Sequence, residues 1–288
     1  MNVQSSLLMR VLALAHVVAS ASAQAGAVVE QISFEVINSF DRRAAVVGEM
    51  RIPDSKRERL PAVVIVNSTT GSDGRGAFYA EALNQAGIAT FEIDMFQGRG
   101  IPASLVHNMP HVFQSLRYLA NHPRIDGARV GIMGFSYGAQ VSLLTSSDEM
   151  TRTYSDRDLR FAAHLALYPQ CWVLRKRSEN DKLLKPAMFM EVTGRPVHIL
   201  VGEKDDYDSF EGCRVFLAGL PAPAKPHYAL SVYEGATFAW DSRFSSAVYE
   251  AEANRGRGGT VRVIADADIA RQSQEFALTY FSRYLAEN

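Results

Sequence analysis

Val130-Gly131-Ile132-Met133-Gly134-Phe135-Ser136-Tyr137-Gly138-Ala139-Gln140-Val141-Ser142-Leu143-Leu144 is the stretch on which the fold turns. Its opening half is an almost unbroken apolar run, which suits a strand buried on both faces. From Tyr137 onward the apolar residues continue at a spacing that suits a buried helix. Between the two stands a serine flanked at two removes by glycine, the pattern G-x-S-x-G. A strand that passes straight into a helix there must make a sharp, strained turn. The glycines remove side chains that would collide with the neighbouring elements. Such a turn lifts the Ser136 hydroxyl above the sheet, which makes it the candidate nucleophile; an incidental strand-to-helix turn is the plainer alternative.

The same alternation extends in both directions. Gln31 to Asn38 and Ala44 to Ile52 suit an antiparallel edge. Buried strands follow at Pro61–Val66, Ile88–Asp94, Val130–Phe135, His164–Tyr168, Val197–Val201 and Tyr228–Tyr233. Helices are expected at Ala77–Ala86, His107–Asn121, Tyr137–Ser146 and Asp266–Leu285, the last with Ile269, Phe276, Tyr280, Phe281 and Tyr284 on one side. Apolar strands separated by helices predict an α/β class with a mostly parallel sheet covered on both faces. With the elbow, the expected architecture is the α/β-hydrolase fold, one domain over residues 24–288 with an antiparallel N-terminal edge. The polar stretches Thr151–Arg160 and Arg175–Lys185 read as solvated loops, too short for a large lid domain.

A nucleophilic serine needs partners, and the fold dictates where to look. One oxyanion N–H comes from the residue after the serine and the other from the loop after the strand ending at Val66. That loop reads Asn67-Ser-Thr-Thr-Gly-Ser-Asp-Gly74, so Thr69 and Tyr137 are the candidate donors, with Ser68 an alternative to Thr69. The acid follows a later strand. In Val201-Gly-Glu-Lys-Asp205-Asp206 an apolar strand and a glycine turn lead to Asp205, while Asp206 or Asp208 would serve the next helix as an N-cap.

The segments Asp94-Met-Phe-Gln-Gly-Arg-Gly100, Gly134 to Gly138, Tyr168-Pro169, Gly202-Glu-Lys-Asp-Asp206 and Tyr233-Glu-Gly-Ala-Thr237 are spread over most of the chain. Together, and in this order, they resemble the dienelactone hydrolase family. The resemblance implies hydrolysis of lactones or esters by a Ser or Cys nucleophile with an Asp and a His, and Ser136 and Asp205 in the first two roles; the sequence itself carries no trace of a cofactor. It also implies a histidine after the Tyr-x-Gly-Ala turn, where this sequence has Phe238. Phenylalanine accepts no proton, and a serine without a base is a poor nucleophile.

The other histidines divide by position. His227 opens the last strand, too far along it to act; His164 and His198 read as core residues, and His122 as a surface residue at a helix end. His107 and His111 begin a helix on the catalytic side of the sheet and are the candidate substitute bases. Their spacing lacks the glutamate of a zinc motif and has a proline beside the second residue, so no metal is expected. Trp240 and Asp241 lie near the Phe238 position, and Asp241 reads as a turn residue. Arg99, Arg175, Lys176, Arg177 and Arg195 fall on pocket-side loops, where solvated charge is the ordinary reading and recognition of a substrate carboxylate the sharper one.

The formal charge of -1 offers no pull toward nucleic acid or anionic membrane. At the N-terminus, Arg10, the apolar run Val11–Ala19 and Ala21-Ser-Ala23 read as an export signal over residues 1–23, which predicts a periplasmic or secreted protein. The run is too short to span a bilayer, so no stable membrane insertion is expected. In such a compartment Cys171 and Cys213, each just past a strand on the same end of the sheet, can form a disulfide; two buried thiols are the alternative. Two functions fit: a serine hydrolase of small-molecule esters or lactones with an altered triad, and a catalytically silent protein using the same pocket to bind a small ligand or a protein partner. The sequence leaves the oligomeric state open.

Overall fold

The computed structural model describes residues 16–24, 27–37, 43–96, 104–155, 159–180, 189 and 191–287. Strands β1 (His16–Gln24), β2 (Ala27–Ile37) and β3 (Arg43–Pro53) lead, followed by β4 (Leu60–Val66), helix α1 (Arg75–Gln85), β5 (Ala89–Asp94) and α2 (Met109–Ala120). Next come β6 (Ile125–Phe135), α3 (Tyr137–Leu144), α4 (Asp148–Tyr154), β7 (His164–Leu167), α5 (Cys171–Asn180), β8 (Val197–Gly202) and α6 (Ser209–Gly219). The chain ends with β9 (Tyr228–Tyr233), β10 (Ser246–Glu250), the single turn α7 (Ala253–Gly256), β11 (Gly259–Val263) and α8 (Ala267–Tyr284).

Nine strands form the main sheet in the order β1-β2-β3-β5-β4-β6-β7-β8-β9. The pairs from β1 to β5 are antiparallel and all later ones parallel. Side chains alternate across the pleat, so β4 sends Val64 and Val66 to one face, with Ile132 and Ile199. Val63 and Ile65 go to the other, with Met133, Phe135 and Leu165. The first face is covered by α2, α3 and α6 through Val112, Leu116, Val141 and Phe216. The second is covered by α1 and α8 through Tyr79, Leu83, Ala277 and Phe281. The expected three-layer architecture is therefore present, and no separate lid domain stands among the described residues.

Several boundaries differ from the reading of the sequence. The supposed loop Thr151–Arg160 begins inside α4, and Arg175 lies within α5, although residues 181–188 of that second stretch fall outside the described ones. Both helices are short and charged, so hydropathy gives no period; Ser147 caps α4 by accepting from the Met150 N–H. The β10–β11 hairpin, with α7 between its strands, was not anticipated. Its outward residues Phe244, Val248, Tyr249 and Ile264 are exposed, which leaves no alternating pattern to detect. Arg262 reaches from it to Asp206 at 2.7 Å, and Glu252 to Arg177 at 2.9 Å.

Candidate active site

β6 passes into α3 at Ser136, whose backbone lies at φ 53°, ψ -110°. A side-chain-bearing residue pays about 1–3 kcal/mol to stay in such a region, so the surroundings must hold it there. They do so through the backbone: the Ser136 N–H donates to Leu167 O at 3.0 Å, and its carbonyl accepts from Ala139 and Gln140 N–H. The two glycines are steric requirements. A Cβ on Gly134 would sit 2.2 Å from the Gly138 carbonyl oxygen, and one on Gly138 would sit 2.1 Å from that of Val66. Residues 134 to 138 are buried except Ser136, which is partly open. Tyr137 opens α3, and the first N–H groups of a helix have no intrahelical acceptor. Its ring is buried, donating to Ser104 O at 2.9 Å and accepting from Asn108 Nδ2 at 2.8 Å.

The close approach of Gly138 to Val66 and Asn67 sets the elbow directly against the loop after β4. There Asn67 donates to Glu92 at 3.0 Å, Gly71 N–H closes a turn onto Ser68 O, and the Ser68 and Thr70 hydroxyls are 2.7 Å apart. Asn67 and Ser68 are buried, whereas Thr69 and Thr70 are exposed.

β8 ends at Gly202, and the following turn buries Asp205 while Asp206 faces outward to Arg262. Asp205 Oδ1 accepts from Tyr207 N–H at 2.8 Å and Asp208 N–H at 3.4 Å. Burial pushes its carboxyl up to about 7, against the pull of those N–H groups and with a further push from Asp208. Asp208 is at the N-cap position of α6 but caps nothing with its side chain, which instead accepts from Trp172 N–H at 2.6 Å. Burial pushes it up to about 6. Beside it Cys171 and Cys213 are joined in a disulfide, Cα atoms 4.9 Å apart, tying α5 to α6.

The acid turn is laced to the turn after β9. Glu203 N–H donates to Tyr233 O and Lys204 N–H to Ala236 O, at 2.9 and 2.8 Å. Phe238 follows. Its ring stands 5.1 Å from that of Tyr168, just past β7, and 5.3 Å from that of Tyr207, two residues beyond Asp205. His107 is half-buried in the turn before α2, and His111 is fully buried within that helix. Asn108, between them, is the residue that holds the Tyr137 hydroxyl. His164 is a core residue as expected, whereas His198 is only half-buried; burial pushes each down to about 4, and His198 shares a 2.9 Å hydrogen bond with Ser231.

Asp241 lies in a turn, as expected, but away from the surface. It is buried, with Tyr168 donating to one oxygen at 2.6 Å and Tyr79 to the other at 2.8 Å. Arg75, also buried, donates to Tyr168 and to Ser68. A cleft of about 1110 Å³ lies beside α1 and α8, lined by Arg51, Arg75, Phe78, Asp241 and Arg243 among others; Ser136 and Asp205 do not line it. Among the described residues the one group with metal-ligand spacing is Cys171, Asp208 and Cys213, whose sulfurs are committed to each other.

No family model matches the chain, and no curated protein matches it. Solved structures do. Thermogutta terrifontis esterase 2 phosphoramylated by tabun aligns with a TM-score of 0.63 at 17% identity, over 93% of this chain and 98% of that one. Est1E from Butyrivibrio proteoclasticus aligns at 0.58 and 15%, over 91% and 100%. A Klebsiella pneumoniae protein assigned as a dienelactone hydrolase aligns at 0.59 and 16%, over 84% and 94%. The chain has the α/β-hydrolase fold. In that fold the strained turn after β6, the loop after β4 and the turn after β8 all lie at the carboxyl edge of the parallel strands, where ligands bind in open α/β sheets. Ser136 and Asp205 are both at that edge, as is Phe238.

Proposed function

We propose that this chain is a serine hydrolase of small esters or lactones, with Ser136 as nucleophile, Asp205 as the buried acid and the N–H groups of Thr69 and Tyr137 as oxyanion donors. The observation that carries this reading is the Ser136 backbone at φ 53°, held by three backbone hydrogen bonds between two glycines that admit no side chain. Strain of that kind concentrates at functional sites. The esterase whose fold resembles this one most fully by TM-score among those named above carries an organophosphorus adduct, which makes such reagents the natural probes. Phe238, against Tyr207 and Tyr168, takes the place in which a histidine would join Asp205 to Ser136. A base must then come from elsewhere, and the turn of His107, linked to Tyr137 through Asn108, supplies the more accessible of the two candidate imidazoles.

Phe238 also favours a second reading, a silent protein that binds a ligand over the elbow. Turnover of an aryl acetate by wild type, Ser136→Ala and Phe238→His decides between them. The hydrolase reading expects slow, Ser136-dependent turnover in wild type and a gain of about a hundredfold, the scale of one general base, in Phe238→His. Activity in Phe238→His alone would establish the silent reading.

We also infer export through cleavage after Ala23. The buried disulfide supports an oxidising compartment, and removal of residues 1–23 would take away all of β1 but its last residue, leaving β2 as the sheet edge. No helix among the described residues is long and apolar enough to cross a membrane.

A further inference from the structure

The buried charge beneath the elbow belongs to no element of the triad. The Arg75 guanidinium is 6% exposed and lies over the Phe135 ring at 5.4 Å. It donates to Asp73 Oδ1 from Nε at 3.0 Å, to the Tyr168 hydroxyl at 3.0 Å and to Ser68 Oγ at 3.0 Å. Tyr168 in turn donates its hydroxyl hydrogen bond to Asp241 at 2.6 Å. The second Asp241 oxygen accepts from Tyr79, and the Tyr79 hydroxyl and Trp240 indole N–H meet at Ser273 Oγ in α8, at 2.7 and 3.1 Å. One chain of bonds therefore ties the loop after β4, the residue before the nucleophile, the end of β7 and the turn that bears Phe238.

Stability alone is a weak reason for this arrangement, because a buried ionic cluster can often be replaced by apolar packing at no loss. What apolar packing lacks is direction. A guanidinium has donors only, so Ser68 Oγ accepts from Arg75 at 3.0 Å, and the Ser68 and Thr70 hydroxyls share a second hydrogen bond at 2.7 Å. Together with the Gly71 N–H bond to Ser68 O, these contacts hold the turn from Ser68 to Gly71, which carries the candidate oxyanion N–H. Misplacement of such a donor by about 1 Å is enough to cost a large factor in rate.

We propose that Arg75 is a positioning residue, held by Tyr168 and Asp241, that sets the loop of residues 67–71 for oxyanion stabilisation at Ser136. The assignment rests on the hydrolase reading for its consequence, but the hold on the loop is measurable without it. Tyr168→Phe removes the relay hydroxyl with little change in volume. Arg75→Met combined with Asp241→Asn removes the two buried charges together and leaves Asp73, whose side chain is a third exposed, to water. Hydrogen exchange of the 67–72 amides and the rate of Ser136 modification by a fluorophosphonate are read on each, with the thermal midpoint as the check on folding. The expected result is exchange at least fivefold faster in 67–72, modification slowed about tenfold, KM for an aryl acetate unchanged, and partial retention in Arg75→Lys, which keeps the charge but not the three-way fork. Folded variants with unaltered exchange in this loop would overturn the proposal. If wild type is inert to the fluorophosphonate, the hydrolase reading fails by itself, and the exchange result still decides whether Arg75 holds the loop.

Discussion

Asp205 binds its proton more tightly in the folded chain than in the unfolded one, because burial raises its carboxyl from 3.8 to about 7. Native protein thus holds more protons than unfolded protein between about pH 4 and 7, and stability must fall as pH rises through that window. Above it the loss is complete. Asp205→Asn has no such slope, so at pH 8 its thermal midpoint is expected to exceed that of wild type by roughly 8–15 °C, while at pH 4 the two coincide. Calorimetry at the two pH values checks this; equal midpoints at pH 8 would mean the carboxylate is better solvated than its burial indicates. Asp208, raised to about 6, leaves a smaller slope in the variant between pH 4 and 6. At this scale the sequence was readable where the constraint is local. Ser136 is marked by its own flanking glycines, and Asp205 by the strand and glycine before it. Arg75 and Asp241 were not readable, since each is an ordinary polar residue beside a turn until the fold brings Tyr168 between them.

The elbow joins β6 to α3 with no spare room, and this is the element-level feature with the sharpest consequence. In Gly138→Ala the new methyl must enter the space of the Val66 carbonyl, 2.1 Å away, and backbone cannot yield as a side chain can. A loss of about 3 kcal/mol or more is expected, visible as a fall in the urea midpoint at unchanged slope. A tolerated alanine would show that α3 can slide off β4. Buried strands were legible as unbroken apolar runs, since both faces are covered (Val63 and Ile65 face α1, Val64 and Val66 face α2), and the long amphipathic helix by its apolar period. Helix α8 was legible to within a residue or two at each end, and Asp266, at the predicted start, is its N-cap, accepting from Asp268 and Ile269 N–H. The β10–β11 hairpin was not, because its strands meet water on most of their surface; Arg262 and the Asn254 N–H tie it to Asp206 in the acid turn.

Across the whole molecule, the disulfide closes a segment of 42 residues that runs from the end of β7 through β8 to α6, enclosing the acid turn. In the chain-entropy account a loop of that length contributes about 4 kcal/mol. The Cys171→Ser and Cys213→Ser pair is expected to lower the thermal midpoint by roughly 8–15 °C. An unchanged midpoint under non-reducing conditions would show that the bond constrains little. The mostly parallel sheet, its antiparallel N-terminal edge and the helices on both faces followed from alternation of apolar strands with helices, whereas the order of strands within the sheet was not read from the sequence. The sequence has Phe238 where the resemblance called for histidine. What replaces it depends on which side chains converge above the elbow, and no sequence period records that.

The central claim is that the turn after β6 presents Ser136 as a reactive hydroxyl. Its most direct test is to treat the full-length protein with a fluorophosphonate and locate the adduct by peptide mass spectrometry, beside Ser136→Ala and Phe238→His. The account predicts one adduct on Ser136 in wild type, faster formation in Phe238→His and none in Ser136→Ala. Folded wild type and Phe238→His both left unmodified, or an adduct on another residue, would contradict it.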